Sequence, residues 1–305
     1  MTRTPLKDLF HDAGPLRFMQ AHDGLSALIA DEACAMVDGQ AVEFDGLWLS
    51  SFADSTARGL PDRSVVNIES RLATVADVLR MTHKPVLFDG ENGGAISDLC
   101  ALVRCLEDLG VSGVVLEDKV GPKLNSLLPD ATHYLDDPVC FAGKIREACG
   151  ARRSPDFAIV ARIESLIAGT GLDDALHRAQ QYVEAGADGI LIHSKEEVPA
   201  DLFAFAAAFP AIASGALVPP FLACVPTTYS QVTDAELQRR GFKVVIHGNQ
   251  MIRAAYSAML TSARSVLAND RSLEADGATA SVMTISEHLA RRDLPVSTSV
   301  PEAAW

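Results

Sequence analysis

Val114-Val115-Leu116 runs straight into Glu117-Asp118-Lys119-Val120-Gly121-Pro122-Lys123-Leu124-Asn125-Ser126-Leu127. An apolar stretch that stops at charged groups reads as a buried strand, and the loop behind it carries Lys123 and Asn125 onto a rigid rim. The arrangement recurs. About eight such runs are present: Leu16 to Gln20, Gly46 to Ser50, Val86 to Asp89, Gly113 to Glu117, Ala158 to Arg162, Gly189 to His193, Phe221 to Val225 and Val244 to His247. Stretches of helical composition lie between them, such as Ala175 to Glu184 and Leu202 to Phe209, and Gly186-Ala187-Asp188-Gly189 fits a helix stop followed by strand entry.

This alternation predicts βα units around a parallel sheet. A doubly wound sheet and a closed (β/α)8 barrel both satisfy it, and the polar residues discriminate between them. Nearly every run ends in or just before one: Ser50, Asp89, Glu117, Arg162, His193, Thr227, and the pair His247 and Asn249. A closed barrel gathers those ends at one mouth, whereas an open sheet spreads them along an edge. The expectation is therefore an α/β chain of one domain, a (β/α)8 TIM-type barrel over about residues 16–265 with a C-terminal helical extension over about 266–305. That extension carries one more helix around Thr279 to Arg292 and a tail from Asp293 to Trp305. No dinucleotide fingerprint or P-loop supports the open sheet.

Composition narrows the classes of function. The chain has 305 residues, 48% hydrophobic, enough for one large core. Its formal charge of −14 argues against nucleic acid, which draws affinity from clustered Lys and Arg. Small anions stay open if a metal and a few cations converge locally. No apolar run reaches the roughly 18 residues of a membrane span and Met1 to Asp8 lacks a signal-peptide core, so the expected location is cytoplasmic. The six cysteines contain no CxxC pair, which argues against structural zinc or a redox dithiol.

Asp89, Glu91 and Glu117 are carboxylates delivered from two neighbouring strands. Like charges raise one another's pKa unless a cation sits among them, and hard oxygen donors with room for water suit Mg2+. Arg162 closes a buried strand, so its guanidinium needs an anion, either an internal carboxylate or, the favoured reading, a substrate carboxylate or phosphate. His193 is a hydrogen-bond donor or acid, or a satisfied rim histidine. The loop from Trp48 to Asp62 carries small hydroxyl residues that can expose backbone amides to an anion, although serine-rich loops are also simply turns.

Together these segments resemble the phosphoenolpyruvate mutase family within the isocitrate lyase superfamily. The resemblance rests on Ala21-His22-Asp23-Gly24-Leu25-Ser26, Asp54-Ser55-Thr56-Ala57-Arg58-Gly59 with Pro61-Asp62, the run Glu117 to Leu127, Ala161-Arg162-Ile163-Glu164-Ser165, Glu184 to Gly189 with His193-Ser194-Lys195, and Val225-Pro226-Thr227-Thr228-Tyr229. It implies a barrel whose last helix swaps between subunits of a homodimer or homotetramer. The implied reaction is Mg2+-dependent interconversion of phosphoenolpyruvate and phosphonopyruvate for phosphonate biosynthesis, with a decarboxylase partner to pull the unfavourable equilibrium forward. By motif, Asp89 would bind Mg2+ with Glu91 and Glu117 reaching it mainly through water. Ser50 and the backbone of Ser51 and Phe52 would hold the pyruvate carboxylate against Trp48. Arg162, Asn125 and His193 would stabilise the phosphoryl group, Lys123 would sit in a gating loop, and Asp62 would be its nucleophile or its electrostatic guide.

One segment departs from the pattern. The family's Asp-Ala-Asp-Thr-Gly is here Asp89-Gly90-Glu91-Asn92-Gly93, which lengthens one acidic arm and is expected to loosen the backbone beside the first ligand. A sister activity, phosphonopyruvate hydrolysis, carries Thr where this chain has Asn125. Carbon–carbon lyases of the superfamily use a Lys-Lys-Cys-Gly-His loop, and no cysteine lies between Glu117 and Leu127. A barrel that has lost catalysis is the remaining alternative.

Overall fold

The computed structural model describes residues 5, 6, 9, 15–121, 123–128 and 131–290. Eight parallel strands close into a barrel: β1 (Leu16–Ala21), β2 (Gly46–Leu49), β3 (Val86–Asp89), β4 (Gly113–Glu117), β5 (Ala158–Ile163), β6 (Gly189–Ile192), β7 (Phe221–Cys224) and β8 (Val244–His247). Each pairs with its sequence neighbour, and β8 returns to β1 with Leu16 opposite Val244. The strands expected from sequence are all present within a residue at each end.

Side-chain parity explains both the core and the site. One buried cluster inside the barrel contains Trp48, Leu87, Val115, Val160 and Leu191, while Leu49, Phe88, Leu116, Ala161 and Ile192 belong to the cluster that meets the helices. Strand side chains alternate with period two, so the residues two beyond those inward positions also point inward at the top: Ser50, Asp89, Glu117, Arg162 and His193. The lower end is filled by interlocking small and large residues. A Cβ at Gly46 would lie 2.3 Å from the Phe18 ring, so the strand can approach that ring only as glycine.

Helices follow the strands on the outside. Ala175 and Leu202 lie in helices Leu172–Glu184 and Ala200–Ala213, both longer than the sequence suggested. Small antiparallel pairs, Cys34–Val37 with Gln40–Glu43 and Lys119–Val120 with Tyr134–Leu135, decorate the loops. The chain divides into two compact units, Met1–Ile252 and Arg253–Trp305. Helix Gln250–Asn269 runs across that division, and Leu273–Asp276 and Val282–Ala290 follow it. The last helix begins three residues later than expected, and Arg291, Arg292 and the tail from Asp293 lie outside the described residues. No described helix is long and apolar enough to cross a membrane.

Candidate active site

Three segments meet above the barrel: the turn after β3, the loop after β4, and the segment after β2 that becomes helix Ser51–Ala57. Asp89 ends β3 and is buried. Its Oδ2 accepts from Ser51 Oγ at 2.8 Å and from the Ser51 amide at 3.2 Å, and its Oδ1 accepts from the Glu91 amide at 3.1 Å. Burial alone would raise its pKa, yet the charges of Lys123, Arg162 and Arg71 outweigh it and hold the carboxyl well below the usual range. Asp89 is therefore an anion at neutral pH.

The departure from the family pattern is built into this turn. Glu91 adopts a left-handed backbone (φ 54°), which costs a non-glycine residue about 1–3 kcal/mol and is held by its surroundings. The Glu91 carbonyl accepts from the Glu117 amide at 2.7 Å, and Asn92 Oδ1 accepts from the Gly94 amide at 3.0 Å. Gly90 does not loosen the backbone as the sequence suggested. Its amide donates to the Val115 carbonyl at 2.8 Å, and a Cβ there would lie 2.6 Å from Val114 Cγ2 and 2.8 Å from Leu116 Cδ2. Glycine is present because the turn packs directly onto β4.

The loop after β4 folds over these acids. Lys123 Nζ donates to Glu91 Oε1 at 2.8 Å, lies 3.1 Å from Asp62 Oδ1, and also bonds Ser51 Oγ. Glu91 Oε2 accepts from Ser64 Oγ at 2.6 Å. Burial opposes the Lys123 charge, but Asp89, Glu117, Asp62 and Glu91 raise its pKa above the normal lysine value. Asn125 Nδ2 donates to Asp62 Oδ2 at 3.1 Å. The loop thus brings Lys123, Asn125 and Asp62 together.

A second cluster lies across the mouth. Glu117 and Arg162 are register partners on β4 and β5, and Arg162 Nη2 sits 3.7 Å from Glu117 Oε2. Its Nε also bonds Glu164 Oε1, so Arg162 has the internal carboxylate that the sequence reading ranked second. His193 Nδ1 is 2.9 Å from Arg162 Nη2 and 3.0 Å from Glu164 Oε1, and its tautomer decides whether it accepts from the first or donates to the second. Burial and Arg162 lower the His193 pKa, which favours the neutral ring. Ser126 Oγ donates to Glu164 Oε2 at 2.9 Å, and Lys119 Nζ donates to Ser126 Oγ at 2.9 Å. Burial raises the Glu117 pKa, while Arg162 and His193 overcome burial and lower that of Glu164.

Trp48 lies in the inner barrel cluster, below these groups. Ser50 is the N-cap of helix Ser51–Ala57, accepting from the Ala53 amide at 3.4 Å, and Phe52 is half-buried beside it. Glu164, Ser126, Lys119, Ser64 and Arg71 join the site without having been assigned a role from sequence. Parity from Arg162 could have suggested Glu164; Arg71 sits on a helix, where strand-end logic gives no signal.

Five carboxylates (Asp62, Asp89, Glu91, Glu117 and Glu164) face four cations (Arg71, Lys119, Lys123 and Arg162). An anionic substrate entering a mouth with that excess of negative charge needs a further cation. The donors are all hard oxygens, which fits Mg2+. Among the described residues no three His, Cys, Asp or Glu side chains are grouped closely enough to encage an ion. An ion here would be held through Asp89 with water completing its shell.

A barrel with a buried carboxylate and cation set at the C-terminal ends of its strands has the construction of a TIM-barrel enzyme. Residues 6–267 match the family model described as phosphoenolpyruvate phosphomutase. The chain is 35% identical over 268 residues to a phosphoenolpyruvate phosphomutase of Tetrahymena pyriformis, covering 86% of this chain and 83% of the relative. It is equally 35% identical over 271 residues to a phosphonopyruvate hydrolase of Variovorax sp. (strain Pal2), covering 88% of each. A crystal structure of a phosphonopyruvate hydrolase complexed with oxalate and Mg2+ superposes with a TM-score of 0.81 at 31% identity, covering 95% of this chain and 96% of that one. The chain belongs to the phosphoenolpyruvate mutase family of the phosphoenolpyruvate mutase/isocitrate lyase superfamily.

Proposed function

We propose that this chain is a phosphoenolpyruvate mutase, interconverting phosphoenolpyruvate and 3-phosphonopyruvate in phosphonate biosynthesis. The observation that carries the reading is the Asn125 to Asp62 hydrogen bond beneath Lys123, because it occupies the loop position where the hydrolases carry Thr. In the forward direction the phosphate ester's O–P bond breaks, and the phosphoryl group moves from the enolate oxygen to the methylene carbon of the same pyruvate unit. No water enters the balance. Catalysis then consists of positioning and electrostatics.

Asp89, with Glu91 and Glu117 through water, would hold Mg2+, which supplies positive charge to the enolate and carboxylate oxygens when bound. Ser50 and the amides of Ser51 and Phe52 form the carboxylate subsite against Trp48. Ser51 N–H serves Asp89 here, so substrate shares or displaces that bond. Arg162 and His193 face the migrating phosphoryl group, and Glu164 fixes the orientation of both. Asn125 holds Asp62 in place as the phosphoryl guide or nucleophile, and Lys123 closes the loop and excludes water.

Phosphonopyruvate hydrolysis is the second reading, favoured by the equal similarity to the Variovorax hydrolase. Phosphorus NMR of the protein with phosphonopyruvate and Mg2+ distinguishes the two. Phosphoenolpyruvate supports the mutase, inorganic phosphate the hydrolase, and an unchanged spectrum neither. Exposed Tyr256, Met259, Leu267, Val282 and Met283 in the C-terminal unit support an exchanged helix in a homodimer or homotetramer. A phosphonopyruvate decarboxylase would draw the product forward.

A further inference from the structure

Arg71 is a buried cation to which the resemblance gave no role. It projects from helix Ile68–Met81 and is 7% exposed. A guanidinium taken out of water costs several kcal/mol unless fixed partners surround it, so its contacts report its purpose. Nη2 donates to the Asp89 carbonyl at 2.6 Å, Nη1 lies 3.8 Å from Glu91 Oε1, and Nε lies 3.8 Å from Asp54 Oδ2. The guanidinium carbon stands 4.2 Å from the centroid of the Phe88 ring. Neither Arg71 Nε nor Asp54 Oδ2 has a hydrogen-bond partner, so the strong bond from Arg71 goes to the carboxylate turn and not to Asp54.

These contacts bracket the segment that departs from the family. Arg71 grips the carbonyl of Asp89 at the entry of the turn and faces the carboxylate of Glu91 after Gly90. Between them Gly90 is pressed onto Val114 and Leu116, and Glu91 is held left-handed.

We propose that Arg71 is a positioning residue for the Asp89-Gly90-Glu91 turn, fixing its backbone and balancing the Glu91 carboxylate so that a glutamate can serve at that position. Its consequence for ion binding rests on the proposed function, but the coupling between Arg71 and Glu91 does not require a metal. An arginine that merely fills space would lose the same stability whatever stands at residue 91.

The test is a thermal-unfolding cycle on the full chain in EDTA with Arg71→Met, Glu91→Gln and the double variant. Arg71→Met should lower Tm, and adding Glu91→Gln should restore at least about 2 °C of that loss, whereas Glu91→Gln alone should give no increase. Additive shifts would overturn the proposal. If Arg71→Met does not fold, Arg71→Lys carries the same cycle. Titration with Mn2+, followed by electron paramagnetic resonance, gives the second readout. Arg71→Met should bind about 10-fold or more weakly, with partial recovery in Arg71→Lys, and unchanged affinity would contradict the positioning role. A wild-type protein that binds no Mn2+ would remove the ion-binding reading, while the EDTA cycle would still decide the role of Arg71.

Discussion

Asn125 donates its side-chain N–H to Asp62 Oδ2 at 3.1 Å, while its own oxygen accepts from the Leu127 amide at 3.0 Å. Both ends of the amide are engaged, so the loop fixes Asp62 relative to the strand ends. Asn125→Thr shortens the arm and releases Asp62. The expected outcome is a rise in the fraction of phosphonopyruvate turned over to inorganic phosphate, read as a product ratio by phosphorus NMR. A ratio that stays at the wild-type value would show that this bond does not separate transfer from hydrolysis.

Asp89 is kept ionised by its neighbours: burial opposes the charge, and Lys123, Arg162 and Arg71 prevail. Asp89→Asn retains the shape and removes the charge. Mg2+-dependent turnover should fall by about 100-fold or more, with circular dichroism and cooperative unfolding preserved. Wild-type turnover in that variant would refute the metal assignment.

Gly90 is required by packing. In Gly90→Ala the new Cβ meets Val114 Cγ2 and Leu116 Cδ2 at distances that force a shift, and overpacking of this kind costs about 1–3 kcal/mol. Val114→Ala makes room, so urea unfolding of the double variant should show a smaller loss than the sum of the two single losses. Simple additivity would mean that the turn relaxes away from β4.

The seam between β1 and β8 carries a pH dependence. Asp234 accepts from Arg17 Nε at 2.9 Å and lies 3.4 Å from His247 Nε2. Burial raises the pKa of Asp234, but His247 and Arg17 together bring it below its ordinary value of 3.8. A carboxyl depressed by folding contributes stability above its unfolded pKa and loses it as pH falls through the folded one. The Tm gap between wild type and Asp234→Asn should therefore be present near neutrality and close progressively below about pH 4. A gap of constant size would assign the effect to shape instead of charge.

The barrel was legible because two local signals agreed. Apolar runs such as Val114-Val115-Leu116 set the strands, and polar residues at their ends, such as Asp89 and Arg162, pointed to one shared mouth. Lys123 and Asn125 were visible as polar groups on the loop after β4, but their contact with Asp62 was not, since sequence spacing does not show that the loop folds back onto the segment after β2. The role of Gly90 was misjudged because its constraint comes from Val114 and Leu116 on a neighbouring strand. Arg71 was invisible for a similar reason: a charged residue within an amphipathic helix reads as a solvated face until the strand beneath it is in place.

Phosphoryl transfer without water is tested most directly by running the phosphonopyruvate reaction with Mg2+ in oxygen-18 water and reading the isotope shift of the product phosphorus. The expected result is phosphoenolpyruvate whose three non-bridging phosphoryl oxygens carry no solvent oxygen; the bridging oxygen is the former ketone oxygen, which exchanges with water by hydration, so label there does not bear on the transfer. Inorganic phosphate carrying one oxygen-18 atom as the sole product would contradict the mutase and establish hydrolysis in its place.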